Sequence, residues 1–257
     1  MATHPAMRHH RFDNLPRPLV VMENRWPAGV ATGWHAHPKG QLLYATEGVM
    51  VVHTDAGTWV VPPNRALWMV TGLRHDVAMA SEVLMRTAYI DERAIGGLPR
   101  ESGVIHVSPL LRELLVAAVQ IDPERPPTPR EQRLLDLLVD EVRESGQLPL
   151  HLPMPQEPRL RAVCEALLAR PADGASAADW ARHAGVAERT LHRLFASQAG
   201  VSFAQWRAQA RLLHALRRIA LGDKVIDVAL DCGYASPSAF AAMFRRHFGV
   251  SPTAFFA

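Results

Sequence analysis

Two histidines one residue apart, His35 and His37, are the first pair in the chain whose types and spacing could do chemistry. Alternate residues of a β-strand share a face, so a strand through this stretch presents both imidazoles to the same side. Imidazoles so placed bind a divalent transition metal, or grip a polar organic molecule when no metal is present. A second set lies far along the chain. Glu188, Arg189, His192, Arg193 and Gln198 fall on the polar side of a helical pattern whose Leu191, Leu194 and Phe195 face inward. Arg or His near the start of such a helix reaches base edges in a DNA major groove, with Arg favoured for guanine. Cys164 and Cys232 join neither set; each sits in an apolar helical pattern and reads as a buried reduced thiol.

The elements that must position these groups follow from the hydrophobic period. From Leu19 to about Tyr89 the chain runs in short apolar stretches, among them Gln41–Tyr44, Val49–Val52, Thr58–Val61 and Leu67–Val70. Turn residues separate them (Glu47-Gly48, Asp55-Ala56-Gly57, Pro62-Pro63-Asn64), which is the rhythm of antiparallel strands closing into a barrel or sandwich. After Val107 the period becomes helical. Leu110, Leu111, Leu114, Leu115 and Ala118 form one stripe, and Leu134, Leu135, Leu137, Leu138 and Val142 a second. Core packing is the plain reading of both stripes, and a homodimer contact the alternative. Prolines at 149, 153, 155 and 158 mark an extended linker, and everything beyond it is helical. The expected fold is therefore a two-domain α+β chain. A β-barrel over residues 12–100 carries a helical extension over 104–146, a linker spans 147–157, and an all-α domain covers 158–257.

Charge supports the division. Residues 158–257 hold 13 of the 28 Lys and Arg but 7 of the 25 Asp and Glu, a local +6 against −3 for the rest. A basic C-terminal part suits a nucleic-acid partner. No stretch reaches the 18 or so apolar residues of a membrane span, and Met1–Arg11 lacks the apolar core of a signal peptide, so the expected location is the cytoplasm with no membrane partner.

The helical part repeats itself. Asp179, Ala181 and Gly185 recur as Asp227, Ala229 and Gly233, 48 positions later. Beyond the turn the offset is 49: Leu191, Leu194 and Phe195 correspond to Phe240, Met243 and Phe244, and Gly200-Val201-Ser202 to Gly249-Val250-Ser251. A short helix with a small inward residue, a glycine at a sharp turn and a second helix with a polar face make a helix-turn-helix. Between the copies, Phe203, Trp206, Ala210, Leu213, Leu216 and Ile219 form the buried stripe of one longer helix, which fixes the two reading helices relative to each other.

Ile226, Val228-Ala229, Gly233-Tyr234, Ser236, Phe240, Phe244-Arg245-Arg246 and Phe248-Gly249-Val250-Ser251-Pro252 resemble the signature of the AraC/XylS family. The resemblance covers residues 158–257 and implies a bipartite DNA-binding domain that recruits or blocks RNA polymerase under control of an N-terminal domain. By position it assigns base contacts to Arg189, His192 and Arg193 in the first reading helix and to Ser238, Ala239 and Ala242 in the second. Alanine offers only its methyl group, to thymine, so the first helix is expected to carry direct readout. Ser236, Ser238, Arg245 and Arg246 are then expected to anchor phosphates.

The stretch Gly33-Trp34-His35-Ala36-His37-Pro38-Lys39-Gly40-Gln41, with Gly48 beyond it, resembles the first cupin motif, and Gly72-x-x-His75 the second. The resemblance adds His75 as a third imidazole and places Gln41 where cupins usually have a metal-binding Glu. Three imidazoles suit Zn, Ni, Fe or Cu. A metal site, a metal-free polar pocket for an organic effector and a purely structural cluster all stand as readings. Trp34, Tyr44, Trp59 and Trp68 are expected to line the barrel, with Arg65 as an anion partner. The expected function is a transcription regulator controlled by a small molecule or metal. The alternatives are a metal-dependent cupin enzyme with a DNA-binding tail, which the missing Glu and the lack of a general base disfavour, and a nucleoid-type protein with no effector.

Overall fold

A computed structural model describes Leu15 and residues 17–256. Eight strands come first: β1 (Leu19–Trp26), β2 (Gly40–Glu47), β3 (Met50–Thr54), β4 (Gly57–Val61), β5 (Arg65–Met69), β6 (His75–Met79), β7 (Val83–Ile90) and β8 (Gly103–His106). Helices α1 (Pro109–Ala118) and α2 (Pro129–Glu144) follow, then two short strands, β9 (Gln147–Leu148) and β10 (His151–Pro153). The rest is helical: α3 (Pro158–Ala169), α4 (Ala177–His183), α5 (Glu188–Ala199), α6 (Phe203–Ala220), α7 (Val225–Asp231), α8 (Pro237–Phe248) and α9 (Pro252–Phe256). The chain forms two compact units. One runs to Thr54 and resumes over Val61–Leu150; the other takes Asp55–Val60 and the chain from His151 onward.

In the first unit an antiparallel sheet has the order β1-β7-β2-β5-β8-β9, and β3 pairs antiparallel with β6. Leu42 and Tyr44, Ala66 and Trp68, and Ala88 and Ile90 turn to one face of the larger sheet and share a core with Leu111, Leu115, Leu138 and Val142 of α1 and α2. The residues that alternate with them (Gln41 and Leu43, Leu67 and Met69, Thr87 and Tyr89) are equally buried and face the interior of the β-domain. Both helices start on strong signals. Ser108 accepts from Leu111 N ahead of Pro109, and Thr128 forms a reciprocal capping box with Glu131 ahead of Pro129. Their apolar stripes cover the sheet as core packing predicts, except that Leu110 and Leu137 remain exposed.

In the second unit the expected repeat is present in full. α4 starts on a capping box of Ser176 and Asp179, turns at Gly185 and leads into α5, which ends at left-handed Gly200. α7 turns at Gly233 into α8, which Ser236 caps and left-handed Gly249 closes. α6 lies between the copies, with Phe203, Trp206, Ala210, Leu213 and Leu216 buried as expected. Among the described residues no helix is long and apolar enough to cross a membrane.

The segment read as a linker is not a free one. β9 closes the edge of the larger sheet, and β10 pairs antiparallel with β4 in the register His151↔Trp59, Leu152↔Thr58, Pro153↔Gly57. Proline lacks an N–H but keeps its carbonyl, which an edge strand can still use. Here the Pro153 carbonyl accepts from the Trp206 indole at 2.6 Å. Met154 N donates to Ala56 O at 3.0 Å, and Gln156 Nε2 to Asp55 O at 2.7 Å.

His151 stacks on Trp59 with ring centroids 4.2 Å apart, and its Nε2 is buried with no hydrogen-bond partner. Burial lowers its pKa from the ordinary 6.5 to about 4. The folded state thus holds the ring neutral where the unfolded chain would protonate it. This stability is complete above pH 6.5 and is lost as the pH falls toward 4. Denaturant unfolding should show wild type losing about 2 kcal/mol more than His151→Gln between neutral pH and about pH 4.5, a figure discounted for residual solvent contact. Equal losses in the two proteins would contradict the assignment.

Candidate functional site

The first candidate site lies inside the β-domain. His35 N donates to His75 O at 2.9 Å and His75 N to His35 O at 2.8 Å, a reciprocal bridge that sets the two residues directly opposite. The rings of His35 and His75 come to 4.3 Å, and His37 lies 4.9 Å from the first and 5.6 Å from the second. Each bridged histidine directs Nδ1 to the carbonyl two residues before it, His35 to Gly33 O at 2.6 Å and His75 to Leu73 O at 2.8 Å. A carbonyl oxygen only accepts, so Nδ1 carries the proton and the neutral ring keeps its lone pair on Nε2. Gly33 supports this from a positive φ of 78°. Its N–H donates to Asp76 Oδ1 at 2.9 Å, and Thr32 Oγ1 receives Val77 N at 3.0 Å.

His37 and His75 are almost wholly buried and His35 half-buried. Burial, followed by the neighbouring rings of His35 and His37, pulls the His75 pKa down to about 4 against the opposing bond to Leu73, so at neutral pH the ring is uncharged. His75 Nε2 has no hydrogen-bond partner. One donor atom from each of the three histidines lies within 4.8 Å of the others. A tetrahedral ion with bonds of about 2.0 Å needs its donors roughly 3.3 Å apart, a closure within reach of side-chain rotation. Nothing in the donor set conflicts with a divalent transition metal, and two of the three rings already have the carbonyl partners that orient such ligands.

Gln41 lies beside this cluster and is buried. Its Nε2 is 3.4 Å from the Tyr89 hydroxyl, and its Oε1 has no hydrogen-bond partner. Tyr89, absent from the sequence-derived set, meets His37 edge to face at 4.9 Å and is the cross-strand partner of Gln41. Asp76 was also missed, although it directly follows His75 in the chain.

The predicted aromatic pocket is not assembled. Trp34 is 47% exposed, with the Arg74 guanidinium 4.8 Å from its ring. Tyr44 and Trp68 belong to the core under α1 and α2, where the Trp68 indole donates to Pro99 O at 2.9 Å. Trp59 packs on His151 in the other unit. Arg65 alternates with Ala66 and so faces the interior, where burial lowers its pKa; its Nη1 donates to Asn64 O at 2.9 Å. A cavity of about 720 Å³ lies elsewhere in the unit, lined in part by Arg17, Ile95, Pro126, Leu135 and Val139, and takes in none of the predicted pocket residues.

The second candidate site is the pair of reading helices. On α5, Arg189, His192 and Arg193 are exposed while Leu191 and Phe195 anchor the helix in the core. His192 Nε2 lies 3.6 Å from Glu188 Oε1. On α8, Ser238, Ala239, Ala242, Arg245 and Arg246 are exposed above buried Phe240 and Phe244. Ser236 caps α8, its hydroxyl accepting Ala239 N at 3.1 Å, which leaves the O–H itself to donate.

Residues 180–257 match the model of a helix-turn-helix domain, and residues 25–170 that of the AraC-like ligand binding domain. The HTH-type transcriptional regulator NimR of Escherichia coli is 33% identical over 218 residues, 85% of this chain and 80% of NimR. The HTH-type transcriptional regulator RipA of Corynebacterium glutamicum is 38% identical over 103 residues, 40% of this chain and 31% of RipA. A solved structure of ToxT from Vibrio cholerae aligns with 93% of this chain and 98% of its own at 11% identity and a TM-score of 0.39.

The Asp76 carboxylate holds the turn whose carbonyl orients His35. Asp76→Ala should lower unfolding stability by about 1 kcal/mol and Asp76→Asn by less, read from urea denaturation midpoints. A larger loss in the Asn variant would show that Asp76 acts otherwise.

Proposed function

The chain belongs to the AraC family of transcription regulators, a ligand-binding domain followed by a helix-turn-helix domain, and from that premise we propose how it reads DNA and what it senses. It is a DNA-binding regulator, not an enzyme. Arg189, His192 and Arg193 on α5 read base edges in one major-groove segment, and α8 engages the next. On α8 the methyl groups of Ala239 and Ala242 meet thymine, and Ser238, Arg245 and Arg246 hold phosphates. The observation that carries this assignment is the exposed Arg-His-Arg face of α5 above a buried Leu191 and Phe195. RNA polymerase is proposed as the further partner, as the resemblance to the family implies.

The sensing site is the histidine cluster, with one divalent transition metal on His35, His37 and His75 and with Gln41 and Tyr89 beside it. The supporting observation is His75 Nε2, a buried lone pair with no hydrogen-bond partner and two imidazoles beside it. With no carboxylate in the cluster the ion keeps its full charge, which suits capture of an anionic or oxygen-donor effector. The partnerless acceptor Gln41 Oε1 favours a second reading, an organic effector bound there without metal. In either case the effector controls transcription only if it binds one functional state better than the other.

Metal analysis of the full chain, purified without chelator or affinity tag, should find roughly one ion per chain, lost in the His35→Ala, His75→Ala double variant. No ion in either protein overturns the metal reading and leaves the organic one. For DNA, Arg193→Ala should relax preference at one base position by about tenfold or more, because a good base contact is worth 1–3 kcal/mol. Arg246→Ala should weaken all duplexes evenly and reduce the salt slope by about one. The reverse pattern would exchange the two roles.

A further inference from the structure

α6 carries four arginines; Arg217 is exposed, and the other three, at 207, 211 and 218, fall within an arc of about 40° on one face at 100° per residue. None of these three is spent on solvent. Arg207 donates from Nη1 to Ala175 O at 2.7 Å and from Nη2 to Asp173 O at 2.6 Å. Arg211 donates from Nε to Pro171 O at 2.7 Å and from Nη2 to Asp173 O at 2.8 Å. Four charge-assisted bonds thus hold three carbonyls of the irregular loop between α3 and α4, the lead-in to the first helix-turn-helix. Arg218 does the equivalent for the second, bonding Asp223 before α7 at 2.6 Å and Asp231 at its end at 2.7 Å.

The same loop also meets the second helix-turn-helix. A Cβ on Gly233, the turn glycine between α7 and α8, would lie 3.2 Å from Ala172 Cα, so the loop packs directly on that turn. Residues 171–175 are therefore held by Arg207 and Arg211 on one side and by the turn of the second reading unit on the other. Guanidinium suits this role because its planar fork donates to two carbonyls at once from a fixed geometry, which an ammonium cannot do.

We propose that Arg207 and Arg211 are positioning residues that set the distance and phase between the two DNA-reading helices, and so the spacing of the two half-sites the protein accepts. The inference rests on the DNA-reading assignment above. It adds a specificity determinant that touches no base. Major-groove segments one duplex turn apart are about 34 Å apart, and each added base pair shifts the second by roughly 3.4 Å and 36°.

The test begins by selecting a preferred duplex for the full wild-type chain from a randomised pool. Affinities are then measured for that duplex, for versions with one base pair inserted or deleted between the half-sites, and for a duplex with the first half-site alone. Arg211→Met, Arg211→Lys and Arg207→Lys are compared with wild type, with a thermal melt of each confirming a folded chain. The expected result is a loss of about tenfold on the native spacing with little change on the altered spacings and the single half-site, so that the preference for native spacing collapses. The Lys variants keep the charge and stem, and should show the same collapse to a smaller degree. An unchanged preference ratio, whether overall affinity falls evenly or stays constant, would overturn the proposal and leave these arginines as supports of the fold alone. If the wild-type chain selects no duplex, the DNA-reading assignment fails first and this inference falls with it.

Discussion

Two backbone hydrogen bonds between His35 and His75 are what the N-terminal site stands on. An imidazole inside a protein is useful as a ligand only when its other nitrogen has a fixed place for its proton. The bridge puts the two residues opposite each other, and in both the carbonyl two positions upstream takes the Nδ1 proton. One local device is used twice, once from the loop after β1 and once at the start of β6. The strand expected through His35 and His37 is reduced to the His35 bridge; His37 joins the two from irregular chain, where its carbonyl accepts Gly72 N at 2.9 Å, and Tyr89, across from Gln41, closes the group on the sheet side.

The β-domain was legible in outline and misread in orientation. Period-two alternation in Gln41–Tyr44 says correctly that Gln41 and Leu43 share one face and Leu42 and Tyr44 the other. It does not say which face is the interior when both are buried, and here α1 and α2 bury the second face as completely as the first. Tyr44 and Trp68 were therefore placed on the wrong side of a correctly identified strand. The prolines of the 147–157 segment misled for a related reason. They mark where a strand cannot donate to a ladder, but not where an edge strand can still offer carbonyls.

The helical domain was read more closely, because what defines it is local. Caps such as Ser176 with Asp179 and Ser202 with Gln205, and left-handed glycines at 200 and 249, act within one turn of the residues they terminate. The repeat then supplies a second copy of the same signals. Arg207 and Arg211 of α6 left no such trace. Their acceptors are backbone carbonyls 32 to 40 residues away, and a carbonyl is present at every position of a sequence. A guanidinium aimed at main chain looks, in sequence, like any other exposed charge.

The chain passes between its two compact units after Thr54, after Val60 and after Leu150. A regulator assembled from exchangeable cassettes would pass once. With β4 taken from the middle of the sensor's sequence and paired with β10, the DNA-binding unit is complete only when a hexapeptide made some ninety residues earlier has been delivered to it. On the ribosome the β10 side of β4 stays open until His151–Pro153 have been made. In evolution, swapping either half for that of a relative would replace one side of this pairing without the other. The sensor and the reader of this protein are bound to change as a single inherited piece.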